Sequence, residues 1–275
     1  GGLKKYGLDY ESLRKVNPRL IYCSITGFGQ DGPYAPRAGY DFIIQAMAGM
    51  MSITGEAGRE PQKAGVAISD LFTGLYSVIA IQAALRHAEK TGEGQHIDMA
   101  LFDSQISALG NQNLNYLVSG KSPVQMGNAH MNIAPYEVLP VKDGHIILAV
   151  GNDGQFGKFC AVEVEPHAAR VANRAKLREL VIETLSTWDR DPLLAKLEAA
   201  GVPASPINTI GQMFADPQTI ARGMRLDLDD GHGNVLPSVR APMVMSGTPL
   251  VYERPSPRLG EHTEEILAEL EGSAK

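Results

Sequence analysis

Cysteine is scarce in this chain: only Cys23 and Cys160 occur among 275 residues, and neither belongs to a CxxC pair. That argues against a disulfide framework and points to a reducing compartment, cytoplasmic or, in a eukaryote, the mitochondrial matrix. No run of about 18 apolar residues appears, so no membrane-spanning helix is expected. The longest candidate, LFTGLYSVIAIQAALRHAEK, carries Gln82 and ends in charges, as a buried helix would. Positive charge is also in short supply. Lys and Arg number 25 against 31 Asp and Glu, a formal charge of -6, which argues against nucleic acid as a partner. Seven histidines are scattered without metal-ligand spacing, so no metal site is expected. GxGxxG, Walker A, GxSxG and HExxH patterns are all missing. The chain starts GGLKKYGLDYESL, with no initiator methionine and no signal peptide, and reads as a stretch from inside a longer protein.

What remains is an ordinary globular balance, 44% hydrophobic and 20% charged, with enough length for one large or two smaller domains. LDYESLRKVNPRL has helical spacing and stops at Pro18. LIYCSITGFG is a β-rich apolar run that ends in a Gly-rich turn, and the loop GQDGPYAPRAG follows. YDFIIQAMAGMMSITG reads as one helix, and SDLFTGLYSVIAIQAALRHAEKTG as a longer one, with Ser69 or Asp70 as N-cap and Gly92 as stop. GQHIDMAL is a short strand, and FDSQISALGNQNLNYLV the helix after it. This alternation predicts an α/β layer over residues 1–133. The pattern then changes. PYEVLPVKDGHIILAVG predicts a hairpin around KDG, and residues 156–200 are helical up to Gly201 and Pro203. A smaller α+β domain is therefore expected over 134–245, with a tail over 246–275 that holds a helix, TEEILAEL, capped by Thr263.

Two carboxylates stand five positions apart in GQHIDMALFDSQISALG. Asp98 sits within the strand, where a solvent-facing role is the plain reading. Asp103 sits at the head of an apolar helix and shares a face with Ile106, Ser107 and Gly110, which predicts that it points inward. A helix N-terminus favours an ionised carboxylate by roughly 0.3–1 kcal/mol. Such a group can cap the helix, or in a dry cleft it can attack an acyl carbon. Ile106 stands where a capping box wants Glu or Gln, which weakens the cap reading without removing it. A second candidate is AVGNDGQF: Gly151, Asn152, Asp153, Gly154 and Gln155 form either an ordinary turn or a flexible loop of backbone donors able to hold an oxyanion. A third is PRAGYD, where Arg37 could meet a phosphate ahead of a helix that opens at Tyr40 and Asp41.

Four ordered segments carry a likeness. RLIYCSITGFGQDGPYAPRAGYDFIIQAMAGMMSITG, ISDLFTGLYSVIAIQAAL, TGEGQHIDMALFDSQ and APYEVLPVKDGHIILAVGNDGQF together resemble the class III CoA-transferases of the CaiB/BaiF type. The likeness runs from about residue 3 to about residue 268. It implies a fold with a nucleotide-binding-like large domain and a smaller α+β domain, in an interlocked homodimer. It also implies transfer of coenzyme A between an acyl-CoA and a free carboxylic acid. Coenzyme A is then a substrate, with no tightly bound cofactor. In the family the carboxylate matching Asp103 is the nucleophile, passing through a mixed anhydride and an aspartyl-CoA thioester. Gly151 to Gln155 match the glycine loop that shields this intermediate. Arg37, Ala38, Gly39 and Tyr40 match CoA contacts, and His130 and Asn132, in GNAHMNIAPY, could line the acyl pocket. The stretch is closest to members that use succinyl-CoA. Related 2-methylacyl-CoA racemases carry Gly-His-Asp where this chain has Gly39-Tyr40-Asp41, so the base they use for α-proton abstraction is missing, and racemisation ranks second. Two departures are expected to matter. The family begins with a nucleotide-fold segment of about 100 residues or more that would precede GGLKKY. About a dozen residues also look absent near Glu163 to His167, a length that helix connections can lose. Either could leave an inactive remnant.

Overall fold

A computed structural model describes residues 2–163 and 170–273, so the apparent deletion near Glu163 to His167 falls largely outside the described residues. The backbone divides into two compact units, Gly1–Ala204 and Ser205–Lys275.

The first unit begins with a parallel pair, β1 (Ile21–Thr26) and β2 (Gln95–Ala100), in register from Ile21↔Gln95 to Thr26↔Ala100. Between them run α1 (Asp41–Met47) and α2 (Ile68–Thr91). β-Branched residues in IYCSIT and alternation in QHIDMA suit extended chain. The long helix predicted from Tyr40 onward is instead broken after α1. Gly49 takes φ 90°, a left-handed geometry that ends one helix before Met50–Ile53 starts another. α2 starts at Ile68 behind Ala67, which offers no side-chain cap. Neither Ser69 nor Asp70 is the cap. The Ser69 N–H is taken by the carboxylate of Asp41, 28 residues away, at 2.9 Å. Gly92 closes α2 as expected, with φ 79° and its N–H on the Ala88 carbonyl. By length and composition alone α2 could cross a membrane. Here Ser69, Thr73, Ser77, Ala84 and Ala88 are its buried residues, and it packs on α3 (Leu101–Ala108) and both strands. α3 ends short of the predicted helix, because Gly110 turns the chain before α4 (Asn111–Ser119).

The same unit holds a second layer. β3 (Tyr136–Val141) and β4 (Gly144–Ala149) form the hairpin that KDG predicts, and β5 (Ala204–Pro206), which starts at the unit's last residue, is third in the sheet order β3-β4-β5. Alternation places Leu139, Val141, Ile146 and Leu148 on one buried face. Against them lie α5 (Asp153–Glu163), α6 (Arg174–Leu185) and α7 (Arg190–Ala199). α6 contributes Leu177, Val181 and Leu185, spaced every four residues, and α7 contributes Leu193 and Leu197. Phe159 and Val202 complete this apolar core. The Glu137 side chain on β3 is largely buried and pairs with Arg178 Nε at 2.7 Å. Cys23 and Cys160 are free thiols, and burial pushes the Cys160 thiol up.

The second unit carries an antiparallel hairpin, β6 (Arg225–Asp229) and β7 (Val235–Val239). Asp230 holds its turn by accepting hydrogen bonds from the Asn234 side chain and from the Asn234 and His232 N–H groups, and its carboxyl falls to about 2. Thr209 and Gln212 form a capping box at Ile210–Ala215. The last helix spans Thr263–Ser273, so Thr263 is its first residue rather than a cap before it.

Candidate active site

The nucleophile candidate lies where β2 runs straight into α3. Ala100 is the residue before the helix, and no side chain caps it. Asp103 lies in the first turn and does not cap, which corrects the simpler of its two readings. No hydrogen bond or ion pair among the described residues engages its carboxylate. It does share a face with Ile106, Ser107 and Gly110, but that face is open to solvent rather than inward. The buried side is Leu101, Ser104 and Gln105. The cause is the partner helix: α2 packs on α3 and buries the small polar residues Ser69, Thr73 and Ser77, and Ser69 Oγ donates to Gln105 Oε1 at 2.7 Å. Ser104 Oγ turns back to the Ala100 carbonyl at 2.9 Å, which satisfies it inside this contact.

Asp103 borders an open hollow of about 370 Å³ with Tyr76, Ile79, Ala80, Ala83, Met99, Ser104 and Ser107. Tyr76, Ile79, Ala80 and Ala83 are one face of α2, at spacings of three and four, so their pattern was available in the sequence. What linked them to Asp103 was not. The wall is mostly apolar and carries no cation. A carboxylate here keeps its lone pairs free, and a ligand covering the hollow would strip water from it.

Around the corner of α3, Phe102 N–H donates to the Gly27 carbonyl at 3.0 Å. Gly27 in turn touches the PRAGYD turn backbone to backbone. A Cβ at Gly27 would fall 2.5 Å from Gly39 Cα, so neither position has room for a side chain. Thus Arg37, Ala38, Gly39 and Tyr40 are held beside the start of α3, although none of them lines the Asp103 hollow. Arg37 stacks on Tyr34 at 4.1 Å, and Tyr40 is 72% exposed. Asp98 has more to do than face solvent. Its Oδ2 accepts the Gln30 N–H at 2.9 Å and so shapes the turn after β1. Asp70, at the head of α2, has its carboxyl raised by burial and by the nearby Asp41 carboxylate.

The remaining candidates lie elsewhere in the unit. Gly151 and Asn152 lead directly into α5, and Asp153 to Gln155 are its first residues, so the segment is not a free loop. Asn152 Oδ1 accepts the Gln155 N–H at 2.9 Å, and Gln155 Oε1 accepts the Gly151 N–H at 2.8 Å. Asp153 is tied to Arg170, whose guanidinium stacks on Phe156 at 4.4 Å. These residues are absent from the wall of the Asp103 hollow, as are His130 and Asn132. His130 Nδ1 accepts the Asn132 N–H at 3.1 Å, and its carbonyl accepts from Arg174 Nη2 at 2.7 Å. That segment flanks a different hollow of about 500 Å³, bordered by Asn128, Glu137, Arg174 and Arg178. Among the described residues no group of His, Cys, Asp and Glu gathers that could hold a metal ion.

The model of CoA-transferase family III matches residues 1–263. The chain belongs to this family. Succinate–glutarate CoA-transferase of Agrobacterium fabrum is 59% identical over 98% of this CoA-transferase chain and 70% of its own length. Human succinyl-CoA:glutarate CoA-transferase is 38% identical over 98% of the chain and 64% of its own length. The chain thus spans about two thirds of these curated relatives. A crystal structure of a CaiB/BaiF family protein from Brucella suis matches with a TM-score of 0.85 at 57% identity, covering 98% of this chain and 73% of that one. The α/β fold expected from the sequence is that of these family structures.

Proposed function

We propose that the protein moves coenzyme A between carboxylic acids, with succinyl-CoA or another dicarboxylyl-CoA as donor and Asp103 as nucleophile. An Asp103 oxygen attacks the thioester carbon, and the CoA thiolate leaves, giving an acyl-aspartyl anhydride. The thiolate then attacks the aspartyl carbonyl and expels the donor acid as its carboxylate. An acceptor carboxylate repeats the two steps in reverse, which regenerates Asp103. No metal or redox partner is needed for the balance. One observation carries this reading: the first-turn carboxylate of α3 has no partner among the described residues and borders an apolar hollow.

In this reading Arg37, Ala38, Gly39 and Tyr40 contact CoA, and Gly151 to Gln155 cover the acyl-aspartyl group. The N–H groups of Asn152, Asp153 and Gly154 suit an oxyanion there, at the positive end of a helix. His130 and Asn132 would then meet the acyl chain. Because neither of these last two segments lines the Asp103 hollow within one chain, we further propose a homodimer in which one copy completes the site of the other. Exposed apolar side chains support it: Leu71, Leu75 and Val78 on α2 and Leu114, Leu117 and Val118 on α4 lie open to solvent. We also treat 134–245 as the smaller domain of the family and the cytoplasm or mitochondrial matrix as its compartment. Racemisation stays second, because Tyr40 has no base to offer.

Incubation with succinyl-CoA, trapping with hydroxylamine and peptide mass spectrometry test the assignment. A hydroxamate at Asp103 is expected, absent from Asp103→Asn. An adduct on another residue, or none, overturns it.

A further inference from the structure

Two glutamines, Gln45 and Gln105, have no exposed surface at all, in a region where few apolar side chains are buried. They belong to one chain of hydrogen bonds. Ser69 Oγ donates to Gln105 Oε1 at 2.7 Å, and Ser69 N–H donates to Asp41 Oδ1 at 2.9 Å. Asp41 Oδ2 accepts from Gln45 Nε2 at 2.7 Å, and Gln45 Oε1 accepts the Ala64 N–H at 2.9 Å. The chain therefore joins the heads of α1 and α2 to the middle of α3. Gln105 Nε2 is left without a partner among the described residues. A buried amide in that state lowers stability, whereas an apolar side chain of similar volume would not. Stability alone does not account for a glutamine here.

Direction does. Gln105 is two residues past Asp103, roughly 200° around the helix. Whatever fixes Gln105 inward fixes Asp103 outward. An apolar contact would tolerate small rotations of α3, but a bond of 2.7 Å to Ser69 does not. The same chain passes through Asp41, the residue after the Arg37–Tyr40 turn. We propose that Gln105, acting through Ser69 and Asp41, is a positioning residue that sets the rotation of the Asp103 helix relative to that turn. The inference rests on the reading of Asp103 as the nucleophile.

The rate of hydroxylamine-trapped acylation at Asp103 is measured across succinyl-CoA concentrations for the wild type, Gln105→Met, Ser69→Ala and the double variant. Gln105→Met should lower the saturating rate roughly ten-fold or more, since small misplacements of a reacting group are costly. The half-saturating concentration should change by less than about two-fold, because CoA contacts are untouched. Ser69→Ala, the milder change, should produce a loss of the same kind. The double variant should be no slower than the slower single one, because both act through one bond. Wild-type rates in both singles, or losses that multiply in the double, overturn the inference and leave the nucleophile assignment standing. A loss confined to half-saturation also overturns it. Absence of any Asp103 adduct in the wild type overturns both.

Discussion

Between Leu139 and Val202, thirteen apolar side chains among the described residues close over one another, with Phe159 and several leucines fully buried. The buried cluster of the region before it holds Ile44, Ala48 and Leu101. That earlier region buries Gln45, Ser69, Thr73, Ser77, Ser104 and Gln105 instead, and leaves large apolar residues of α2 and α4 outside. The later layer is held by apolar area removed from water, so its stability is self-contained. The earlier one is held by directed bonds between closely packed helices, and its apolar surface faces outward. The proposed chemistry sits in the second kind of structure, where side-chain direction is specified and a surface remains to be covered. This fits a site completed by another protein surface.

The sharpest way to break this comparison is Phe159→Ala. A fully buried phenylalanine truncated in a closed core should cost about 3–5 kcal/mol, read as a lower urea midpoint. A loss under about 1 kcal/mol would mean that the later layer is not close-packed. Gly27→Ala should follow at roughly 1–3 kcal/mol, because the new methyl meets the Gly39 backbone and one of the two must move. Acylation of Asp103 should fall with it, since the same contact holds the Arg37–Tyr40 turn. Unchanged acylation would separate that turn from the site. Leu117→Ser, on a side chain 73% exposed, should change stability by no more than about 0.5 kcal/mol. It should nonetheless weaken self-association in sedimentation experiments. A large loss of stability with association intact would show that this face is not an interface.

Much of the fold was legible. The hairpin followed from alternation around Lys142 and Asp143, and a helical stretch over 156–200 from its pattern and the stops at Gly201 and Pro203, though not its division into α5, α6 and α7. The breaks at Gly49 and Gly110 were missed, because a glycine among good helix formers is tolerated as often as it terminates. The true cap of α2 was out of reach: Asp41 is 28 residues away and comes close only when α1 packs on α2. Asp103 shows the division most clearly. Helical period put it on one face with Ile106 and Ser107, correctly. Reading that face as inward was wrong, because the apolar count did not anticipate that hydroxyls and amides would form the contact.

By itself, then, the sequence determined the order of strands and helices, the hairpin and the presence of an acid at a strand-to-helix junction. Those are local matters, set by side-chain period, turn chemistry and backbone freedom over a few residues. Tertiary packing alone decided which side of α3 faces α2, that the Gly27 and Gly39 backbones touch, and that Asp103 is left without a partner among the described residues. Each depends on groups far apart in the chain whose approach is controlled by shape and buried hydrogen bonds, and no local pattern encodes that.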